Sequence, residues 1–374
     1  MRITIVQGAF LPVPPLRGGA VEKVWFALAK EFVRRGHQVT HISRLCDGLP
    51  TQEEIEGVEH RRVAGFDTPS SLVALKLLDL VYSLRVLPVL PEADILVTNT
   101  FWLPMLVRTP RPGAIYVHVA RYPKGQMGFY SHCARLQTVS SAVAEAIVAQ
   151  APAAAPRVSI VPYPIPESAV TAPTRNEQRQ PHILYVGRIH PEKGIDLLID
   201  AFQRLQTGCK EQWRLVLVGP WQTEFGGGGE GYRQALQGRA AAVADRIDWV
   251  GGVFDPLALQ RYYQQSALFV YPSLAELGET FGLAPLEAMA AGCPVLVSGL
   301  KCFRDFIEDG RSGFVFDHRA ADPVAVLAEK LKTLLAAPPL LARVGASGHA
   351  AAHERTLPRV ADQYLADFAS LLHP

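Results

Sequence analysis

Short apolar runs alternate with helix-like segments from the beginning of the chain. The run RITIVQ predicts a buried strand, and VEKVWFALAKEFVRRG, which follows a Pro-rich loop, has apolar positions at helical spacing and ends in Gly36. QVTHIS predicts the next strand, and DILVTN, AIYVHV and LQTVS add further short apolar runs. This β-loop-α-β opening is typical of a doubly wound sheet, so the first half predicts a Rossmann-type domain.

A segment between Pro162 and Pro181 interrupts the alternation. It is rich in Pro and polar residues and has no apolar periodicity, as expected of a domain linker. After it, the runs HILYVG, RLVLVG, IDWVGG, ALFVYP and PVLVS predict a second parallel sheet with helices on both faces. We therefore predict an α/β fold of two Rossmann-like domains, residues 1–168 and 180–355, that face a ligand-binding cleft.

Composition excludes two broad classes of protein. Apolar residues make up 49% of the 374 residues and charged residues 19%, which is too apolar for an intrinsically disordered chain. Thirty-seven basic and 35 acidic residues give a net charge of +2, without the excess of basic residues typical of nucleic-acid-binding proteins. We expect a globular protein that does not bind nucleic acid.

Two features bear on the cellular compartment. The start MRITIVQGAF lacks the pattern of a signal peptide, and the five scattered cysteines form no C-x-x-C pair, so we expect a cytoplasmic protein with reduced thiols. The most apolar stretch, Leu72 to Leu90, contains charged residues and Pro88, which argues against a transmembrane span. Lys76 and Arg85 flank its apolar residues. Peripheral contact with the inner face of a membrane and burial of that face in the core both explain this pattern.

The segment GETFGLAPLEAMAAGCPVLVSG contains the most informative pair of charged residues. Glu279 and Glu287 are eight positions apart and bracket a Phe281-Gly282 turn that opens a helix. Both carboxylates can reach a cleft above the strand ends, where carboxylates commonly bind hydroxyls. The backbone N–H groups around Gly282 and Leu283 stand at a helix amino terminus and favour an anion such as a phosphate. The residues alone equally allow a helix-capping Glu279 and a solvent-facing Glu287.

Three stretches together carry a family resemblance. They are the two glutamates with Phe-Gly between them, the following EAMAAGCPV, and the earlier YVGRIHPEKGIDLLIDAF. They resemble the retaining nucleotide-sugar glycosyltransferases of family 4, the group 1 glycosyltransferases, which have the GT-B fold. The resemblance is strong from Ile183 to Asp317. In the first half it rests on the Gly18-Gly19 loop, the general alternation and a histidine at a strand end.

The resemblance implies roles for charged residues of the second domain. Glu279 would hold hydroxyls of the donor sugar, and Glu287 would hold the ribose. Glu276 is an alternative first motif glutamate, but the Phe-Gly anchor and the seven-residue gap favour Glu279. Arg188 and Lys193 match the basic pair that neutralises the donor diphosphate. The chain has no Asp-x-Asp pair to hold a metal–diphosphate complex, so we expect no metal and no other cofactor.

The remaining implied contacts come from strand ends and glycine loops. By resemblance His118 touches the donor sugar as a catalytic group, although a lone strand histidine is more often a core residue. Gly19 would meet the diphosphate or the acceptor. Further donor-binding positions are Gly219, Val253, Phe281, Gly282 and Leu283. His41 and His190 have no such support, and the run Gly226 to Gly229 predicts a mobile surface loop rather than a phosphate cradle.

These observations predict a retaining, metal-independent hexosyltransferase. It would move a sugar from a nucleotide diphosphate sugar, UDP-sugar favoured over GDP-sugar, to a hydroxyl of a glycan, a lipid-linked sugar or a small molecule in glycan or glycoconjugate biosynthesis. The resemblance also implies that the last helix, within residues 356–372, packs on the first domain. The alternatives are a sugar-nucleotide epimerase of the same fold and a degenerate nucleotide-binding scaffold protein.

Overall fold

The computed structural model of the chain describes residues 1–16, 19–69, 71–167, 179–206 and 213–372. It divides into two compact units, the first formed by Met1–Pro164 with Leu357–Pro374 and the second by Ile165–Thr356. Most of the predicted linker falls on residues 168–178, which lie outside the described residues, as do Gly18 and Cys209.

The first unit has one sheet with helices around it. Its elements are β1 (Arg2–Val6), α1 (Ala20–Arg34), β2 (Gln38–Leu45), β3 (Gln52–Ile55), β4 (Val58–Ala64), α2 (Leu72–Val86), β5 (Ile95–Thr98), α3 (Leu103–Leu106), β6 (Ala114–Val119), β7 (Arg135–Thr138), α4 (Ser141–Gln150), β8 (Val158–Ile160) and, from the end of the chain, α11 (Leu357–Leu372).

Strand order in this sheet is that of a doubly wound fold. The described strands run β3-β4-β2-β1-β5-β6-β7-β8, and every pair is parallel except β3 with β4. The chain thus proceeds outward from β1 in one direction and then from β5 in the other, which places a topological switch point between them. The pattern of apolar runs does not predict β3, β4 and β8. The strand β3 is the polar run QEEI, β4 carries four charged or imidazole side chains, and β8 has only three residues.

The carboxy-terminal helix α11 groups with the first unit. The Tyr116 hydroxyl donates to Asp367 at 2.8 Å, and Arg135 forms an ion pair with the same carboxylate at 2.8 Å. The Tyr364 ring packs on Trp25 of α1 with centroids 5.0 Å apart. These contacts join the end of the chain to the core of the first unit.

The second unit also has one sheet, built entirely of parallel pairs among the described strands. Its elements are β9 (Gln180–Val186), α5 (Ile195–Gln206), β10 (Arg214–Val218), α6 (Gly229–Arg239), β11 (Ile247–Gly251), α7 (Pro256–Gln265), β12 (Ser266–Tyr271), α8 (Leu283–Ala290), β13 (Val295–Ser298), β14 (Phe314–Phe316), α9 (Pro323–Leu335) and α10 (Pro338–His353).

Its strand order, β11-β10-β9-β12-β13-β14, has the switch point between β9 and β12. The four residues of β13 are all buried, as expected of a strand with helices on both faces. The pattern of apolar runs does not predict β14, which is only three residues long. Both sheets have the arrangement that the sequence predicts for Rossmann-like domains.

Two histidines of the first unit are fully buried side by side. His41 of β2 and His60 of β4 are register partners, and their rings stack with centroids 5.3 Å apart. Neither ring has a hydrogen-bond partner among the described residues. Burial lowers the pKa of His60 to about 4, and burial together with the charges of His60 and Arg62 lowers the pKa of His41 well below its usual value.

This buried pair predicts a loss of stability in mild acid. In the unfolded chain a histidine has a pKa of about 6.5. Below that pH the unfolded chain binds more protons than the folded chain, so the free energy of unfolding decreases as the pH is lowered. Between pH 7 and pH 5 the loss through His60 alone should be about 2 kcal/mol. Chemical unfolding of His60→Phe should show a shallower pH dependence than that of the native chain. Equal pH dependence in the native chain and His60→Phe would contradict this account.

Candidate active site

The loops that follow β9 and β12 meet at the carboxyl edge of the second sheet. The backbone N–H of Leu274 donates to the carbonyl of Glu192 at 2.8 Å, which joins the two loops. A Cβ atom on Gly194 would lie 2.3 Å from the Pro272 carbonyl oxygen, so the two backbones are in close contact. Ligands of open α/β sheets bind at such a switch point, outside the carboxyl ends of the strands.

A buried ion pair lies where these loops meet. Lys193, at the end of a 3-10 helix (Pro191–Lys193), donates from Nζ to Oε2 of Glu279 at 2.7 Å. Both side chains are about nine-tenths buried. Lys193 is therefore buried and does not form part of a solvated surface turn. A buried, hydrogen-bonded ion pair at a strand edge places a cation and a carboxylate in fixed positions for a polar ligand.

Two further side chains, which the sequence analysis did not single out, complete this pair. Tyr271 donates to Oε2 of Glu279 at 3.0 Å and Ser273 at 3.2 Å. Burial raises the pKa of Tyr271 well above its usual value, and the nearby carboxylate adds to the rise, so the phenol stays a donor. All three bonds go to one oxygen, which leaves Oε1 of Glu279 to accept from a ligand hydroxyl. The signal that could have found both residues is their place at the end of a buried strand, in the run YPS.

Arg188 lies on the exposed side of the same loop. Its guanidinium donates to the Gly226 carbonyl at 2.6 Å and to Glu192 at 2.8 Å. These partners hold it near the glycine run, and its exposure leaves N–H donors for a ligand. Arg188 and Lys193 are thus five residues apart on one strand-end loop, one exposed and one buried.

The glycine run itself is a folded turn. Gly226, Gly227, Gly228 and Gly229 each donate their backbone N–H to a carbonyl, at distances of 2.7–2.9 Å, and Gly229 opens α6. Every one of these N–H groups has a backbone partner, so the segment is a hydrogen-bonded turn, and its mobility stays a prediction. These same bonds leave none of the four N–H groups for a phosphate.

The turn before α8 requires a glycine. Gly282 has φ 89° and is the N-cap of α8, without a side-chain cap, and a Cβ atom there would lie 2.4 Å from the Phe303 ring. Phe281 is buried and packs on Phe306, with ring centroids 5.1 Å apart, and Leu283 is half-buried. The first N–H groups of α8, which no side chain caps, stand at the positive end of the helix dipole.

Glu287, on α8, has a different environment from Glu279. The hydroxyl of buried Tyr263 donates to Glu287 Oε2 at 2.9 Å, and burial raises the pKa of this tyrosine well above its usual value. Glu287 is half-buried and lies in the helix, whereas Glu279 precedes it. Neither carboxylate matches the simple alternative of a capping Glu279 and a fully solvent-facing Glu287.

The alternative glutamate, Glu276, belongs to another network. It accepts from His318 Nε2 at 2.9 Å and from Arg319 at 2.7 Å. His318 Nδ1 accepts from the Gly299 backbone N–H at 3.1 Å, so its proton is on Nε2. Glu276 thus ties its loop to the segment after β14, and Glu279 is the glutamate that meets Lys193.

The two positions suggested for base recognition have different surroundings. Gly219 is buried after β10, and a Cβ atom there would lie 1.7 Å from the Gly187 carbonyl oxygen, so the backbone itself requires glycine. Val253, after β11, is half-buried. The neighbouring Phe254 is exposed, and its ring packs on Phe225 with centroids 5.5 Å apart.

Two of the predicted site residues, Gly19 and His118, belong to the first unit. Gly19 is the N-cap of α1, in the loop after β1, and borders the switch point of that sheet. His118 is 2% exposed, and its ring nitrogens lie 2.6 Å from Gln137 Oε1 and 3.2 Å from the Tyr163 hydroxyl. Burial lowers the pKa of His118 to about 4. Its contact with a donor sugar stays a prediction.

A carboxylate that the sequence analysis did not single out lies near Gly19. Glu22 is buried in the first turn of α1, and burial raises its pKa, against the opposing charge of Arg121. Among the described residues, no group of three or more His, Cys, Asp and Glu side chains is arranged to hold a metal ion.

Residues 170–350 match the family model described as "Glycosyl transferases group 1". Over 133 residues the chain is 35% identical to the lipopolysaccharide 1,2-N-acetylglucosaminetransferase of Salmonella typhimurium. This alignment covers 35% of this chain and 34% of that protein. The alignments with the first curated relatives span between about a third and a half of those proteins. The family model thus matches the unit that holds the Lys193–Glu279 pair.

Solved structures resemble the whole chain. Sucrose-phosphate synthase from Thermosynechococcus elongatus has a TM-score of 0.83 at 18% identity, and the match covers 100% of this chain and 99% of that one. HepE from Anabaena, solved with UDP and glucose, has a TM-score of 0.74 at 18% identity and coverage of 99% and 100%. These similarities confirm the predicted fold class, the GT-B fold.

Replacing Gly282 should show how tightly the α8 turn is built. Gly282→Ala should lower the free energy of unfolding by about 2–4 kcal/mol. The alanine would have to adopt a positive φ, and its Cβ atom would clash with the Phe303 ring. Gly310 also has a positive φ, 75°, but open space around it, so Gly310→Ala should cost about 1 kcal/mol. Chemical unfolding of both variants tests this, and equal losses would show that the close contact with Phe303 has no energetic weight.

Proposed function

We propose that this chain, which belongs to the group 1 glycosyltransferases, transfers a sugar from a nucleotide diphosphate sugar to an acceptor hydroxyl with retention of anomeric configuration. The observation that carries the proposal is the buried Lys193–Glu279 pair at the switch point of the second sheet. The acceptor is a glycan, a lipid-linked sugar or a small molecule, and the reaction serves the synthesis of glycans or glycoconjugates.

The donor diphosphate binds to Arg188, Lys193 and the amino terminus of α8. Arg188 offers a planar set of N–H donors from an exposed position, and Lys193 offers a buried cation. The uncapped N–H groups after Gly282 add dipoles that favour an anion. Together these groups offset the negative charge that develops on the leaving diphosphate, so the reaction needs no metal.

The two glutamates bind hydroxyls at opposite ends of the donor. Glu279 accepts from the sugar through Oε1, since Lys193, Tyr271 and Ser273 all donate to Oε2. Glu287 accepts from the ribose, and Tyr263 orients its carboxylate. His118 contacts the sugar and Gly19 the diphosphate or the acceptor, as the family resemblance implies.

UDP is the favoured nucleotide. The support is the similarity in fold to HepE, whose structure holds UDP and glucose. In this chain the base lies near Gly219 and Val253, which follow β10 and β11, the two strands at the β11 edge of the sheet. Phe281 and Leu283 complete the donor-binding positions around the α8 turn.

The reaction proceeds on one face of the sugar. A double displacement needs a nucleophilic carboxylate near the anomeric carbon, about 5 Å from its acid partner in the comparable hydrolases. Glu279 and Glu287 are both assigned to hydroxyls of the donor, and Oε2 of Glu279 already accepts from three donors, so neither carboxylate is assigned to the anomeric carbon. Instead, the phosphate oxygen that leaves takes the proton of the incoming acceptor hydroxyl while the new glycosidic bond forms. The diphosphate acts as both leaving group and base.

Metal removal is the simplest test of the electrostatics. Transfer in excess chelator should stay within about twofold of the untreated rate, because Arg188, Lys193 and the α8 dipole fill the role of a metal. A matched reaction with added magnesium serves as the control. Loss of activity that magnesium or manganese restores would refute the metal-independent mechanism.

The division of roles between the two glutamates predicts different binding defects. Glu287→Gln should weaken binding of the free nucleotide diphosphate by about 1–3 kcal/mol, since a charge-assisted hydrogen bond to the ribose is lost. Glu279→Gln should leave that affinity within about threefold, because the free diphosphate carries no sugar. Tyr263→Phe, which removes one hydrogen bond to Glu287 but keeps the carboxylate, should cause a smaller loss than Glu287→Gln. Calorimetry that showed equal losses for both glutamate variants would refute the assignment.

The same-face mechanism predicts that no covalent glycosyl-enzyme accumulates. Lys193→Ala should lower the turnover number by about 10²-fold or more, the usual cost of removing a group that stabilises transition-state charge. Intact-protein mass spectrometry after rapid quench with a slow fluorinated donor tests the intermediate directly. A stable mass increase of one sugar, mapped to Glu279 or another side chain, would refute the mechanism.

A further inference from the structure

Two histidines lie one turn apart near the end of α10 in the second unit. His349 and His353 are four positions apart, which places them about 40° from each other around the helix axis. Their rings are in contact, with centroids 3.9 Å apart and an interplanar angle of 46°. Both side chains are half-buried. The proposed donor site makes no use of this pair.

The packing of α10 on α8 fixes the first of these rings. Gly345, one turn before His349, is buried just beyond the end of α8, where a Cβ atom would lie 2.8 Å from the Gly292 carbonyl oxygen. This close approach of the two backbones lets His349 reach α8, and its Nδ1 donates to the Ala290 carbonyl at 2.7 Å. Because a carbonyl oxygen only accepts, the proton of the neutral ring is on Nδ1 and the lone pair is on Nε2.

The second ring has the same arrangement. Nδ1 of His353 donates to the His349 carbonyl at 2.9 Å, so Nε2 of this neutral ring also carries the lone pair. Among the described residues neither Nε2 atom has a hydrogen-bond partner, and both atoms are open to solvent. The nearest basic residue along the chain, Arg355, donates to Ala351, which lies about 160° around the helix from both histidines. The pair therefore presents two adjacent nitrogen lone pairs to solvent.

We propose that His349 and His353 bind one divalent transition-metal ion through their Nε2 atoms. Imidazole nitrogen suits Zn²⁺, Ni²⁺ and Cu²⁺, whereas Mg²⁺ and Ca²⁺ prefer oxygen ligands. Zn–N bonds of about 2.0–2.1 Å place two ligand nitrogens about 3.4 Å apart at a tetrahedral angle, a separation that two rings in contact can adopt.

The bonds at Nδ1 strengthen this assignment. A histidine that ligates a metal almost always donates its other N–H, commonly to a carboxylate or a backbone carbonyl, and this bond fixes the tautomer and the ring orientation. Both rings of the pair already make such a bond. Since no group of three His, Cys, Asp or Glu side chains among the described residues is arranged to hold a metal, water completes the coordination.

A purely structural role leaves both Nε2 atoms unexplained. His349 joins α10 to α8 through Nδ1 alone, and His353, in the last turn, would stabilise the helix dipole only when protonated. Two protonated rings in contact would repel each other. A shared metal ion uses both lone pairs and should stabilise the folded chain. The ion would lie near the carboxyl end of α8, whereas the proposed donor site is at its amino end, so this inference does not depend on the transfer reaction.

Isothermal titration calorimetry of the full chain, without a polyhistidine tag, tests the proposal. The native chain should bind zinc chloride and nickel chloride, but neither magnesium chloride nor calcium chloride. His349→Gln and His353→Gln should each weaken zinc binding by about tenfold or more, because one of the two protein ligands is lost. His132→Gln is the matched control. His132 is exposed and also bonds a backbone carbonyl, that of Pro104 at 2.7 Å, but it has no second histidine four positions away, so this variant should bind zinc as the native chain does.

Electron paramagnetic resonance distinguishes a shared ion from loose binding to single histidines. Copper chloride at one equivalent should give the native chain a spectrum with splitting from two imidazole nitrogens, and each variant of the pair should show only one.

Three results would overturn the proposal. The first is a native chain that binds neither zinc nor nickel. The second is a pair of variants, His349→Gln and His353→Gln, that bind zinc as the native chain does, with thermal unfolding confirming that they are folded. The third is an equal loss in His132→Gln, or a native copper spectrum with a single nitrogen, which would show adventitious binding to separate histidines.

Discussion

The buried ion pair between Lys193 and Glu279 is the interaction on which the proposed donor site depends. Taking two charges out of water is costly, and the cost is offset only when good geometry and further hydrogen bonds satisfy both groups. Tyr271 and Ser273 supply such bonds to Glu279. Removing one partner of a pair like this typically destabilises a protein by about 3–5 kcal/mol. An ion pair that is costly to bury, with one carboxylate oxygen held by three donors and the other open to a ligand, is typical of a preorganised polar site.

The pair exists because of the strand order in the second sheet. The lysine follows β9 and the glutamate follows β12, and these strands are neighbours although 86 residues separate the two side chains. The backbone bond from Leu274 to Glu192 fixes the spacing of the loops. Arg188 and the α8 turn then lie on the same two loops or directly after them. The sheet thus brings together the groups for which we propose contacts with phosphate and those for which we propose contacts with hydroxyls.

Much of the fold could be predicted from the sequence, because apolar runs of strand length predict buried parallel strands. The polar strand β3 and the three-residue strands β8 and β14 give no such signal, and they belong to the sheets through their neighbours. The residue types of the site were also predictable, from the family resemblance. That Lys193 meets Glu279 was not, since the pairing requires the strand order. The helix α2 has Asp79 within an apolar run. Only the packing shows that Asp79 is buried and that Leu77 and Leu84 are exposed.

A thermal-shift comparison of the native chain with the double variant Lys193→Met, Glu279→Gln tests the central claim most directly. The double substitution removes both charges together and so avoids leaving one buried charge unpaired. A nucleotide diphosphate or nucleotide sugar at about 100 times its dissociation constant should stabilise the native chain by about 2.7 kcal/mol, which raises its Tm by a few degrees. The account predicts that at least one ligand of a panel of bases and sugars does this for the native chain, and that the double variant loses most of the shift. No shift of the native chain with any ligand, or an equal shift in both proteins, would contradict it.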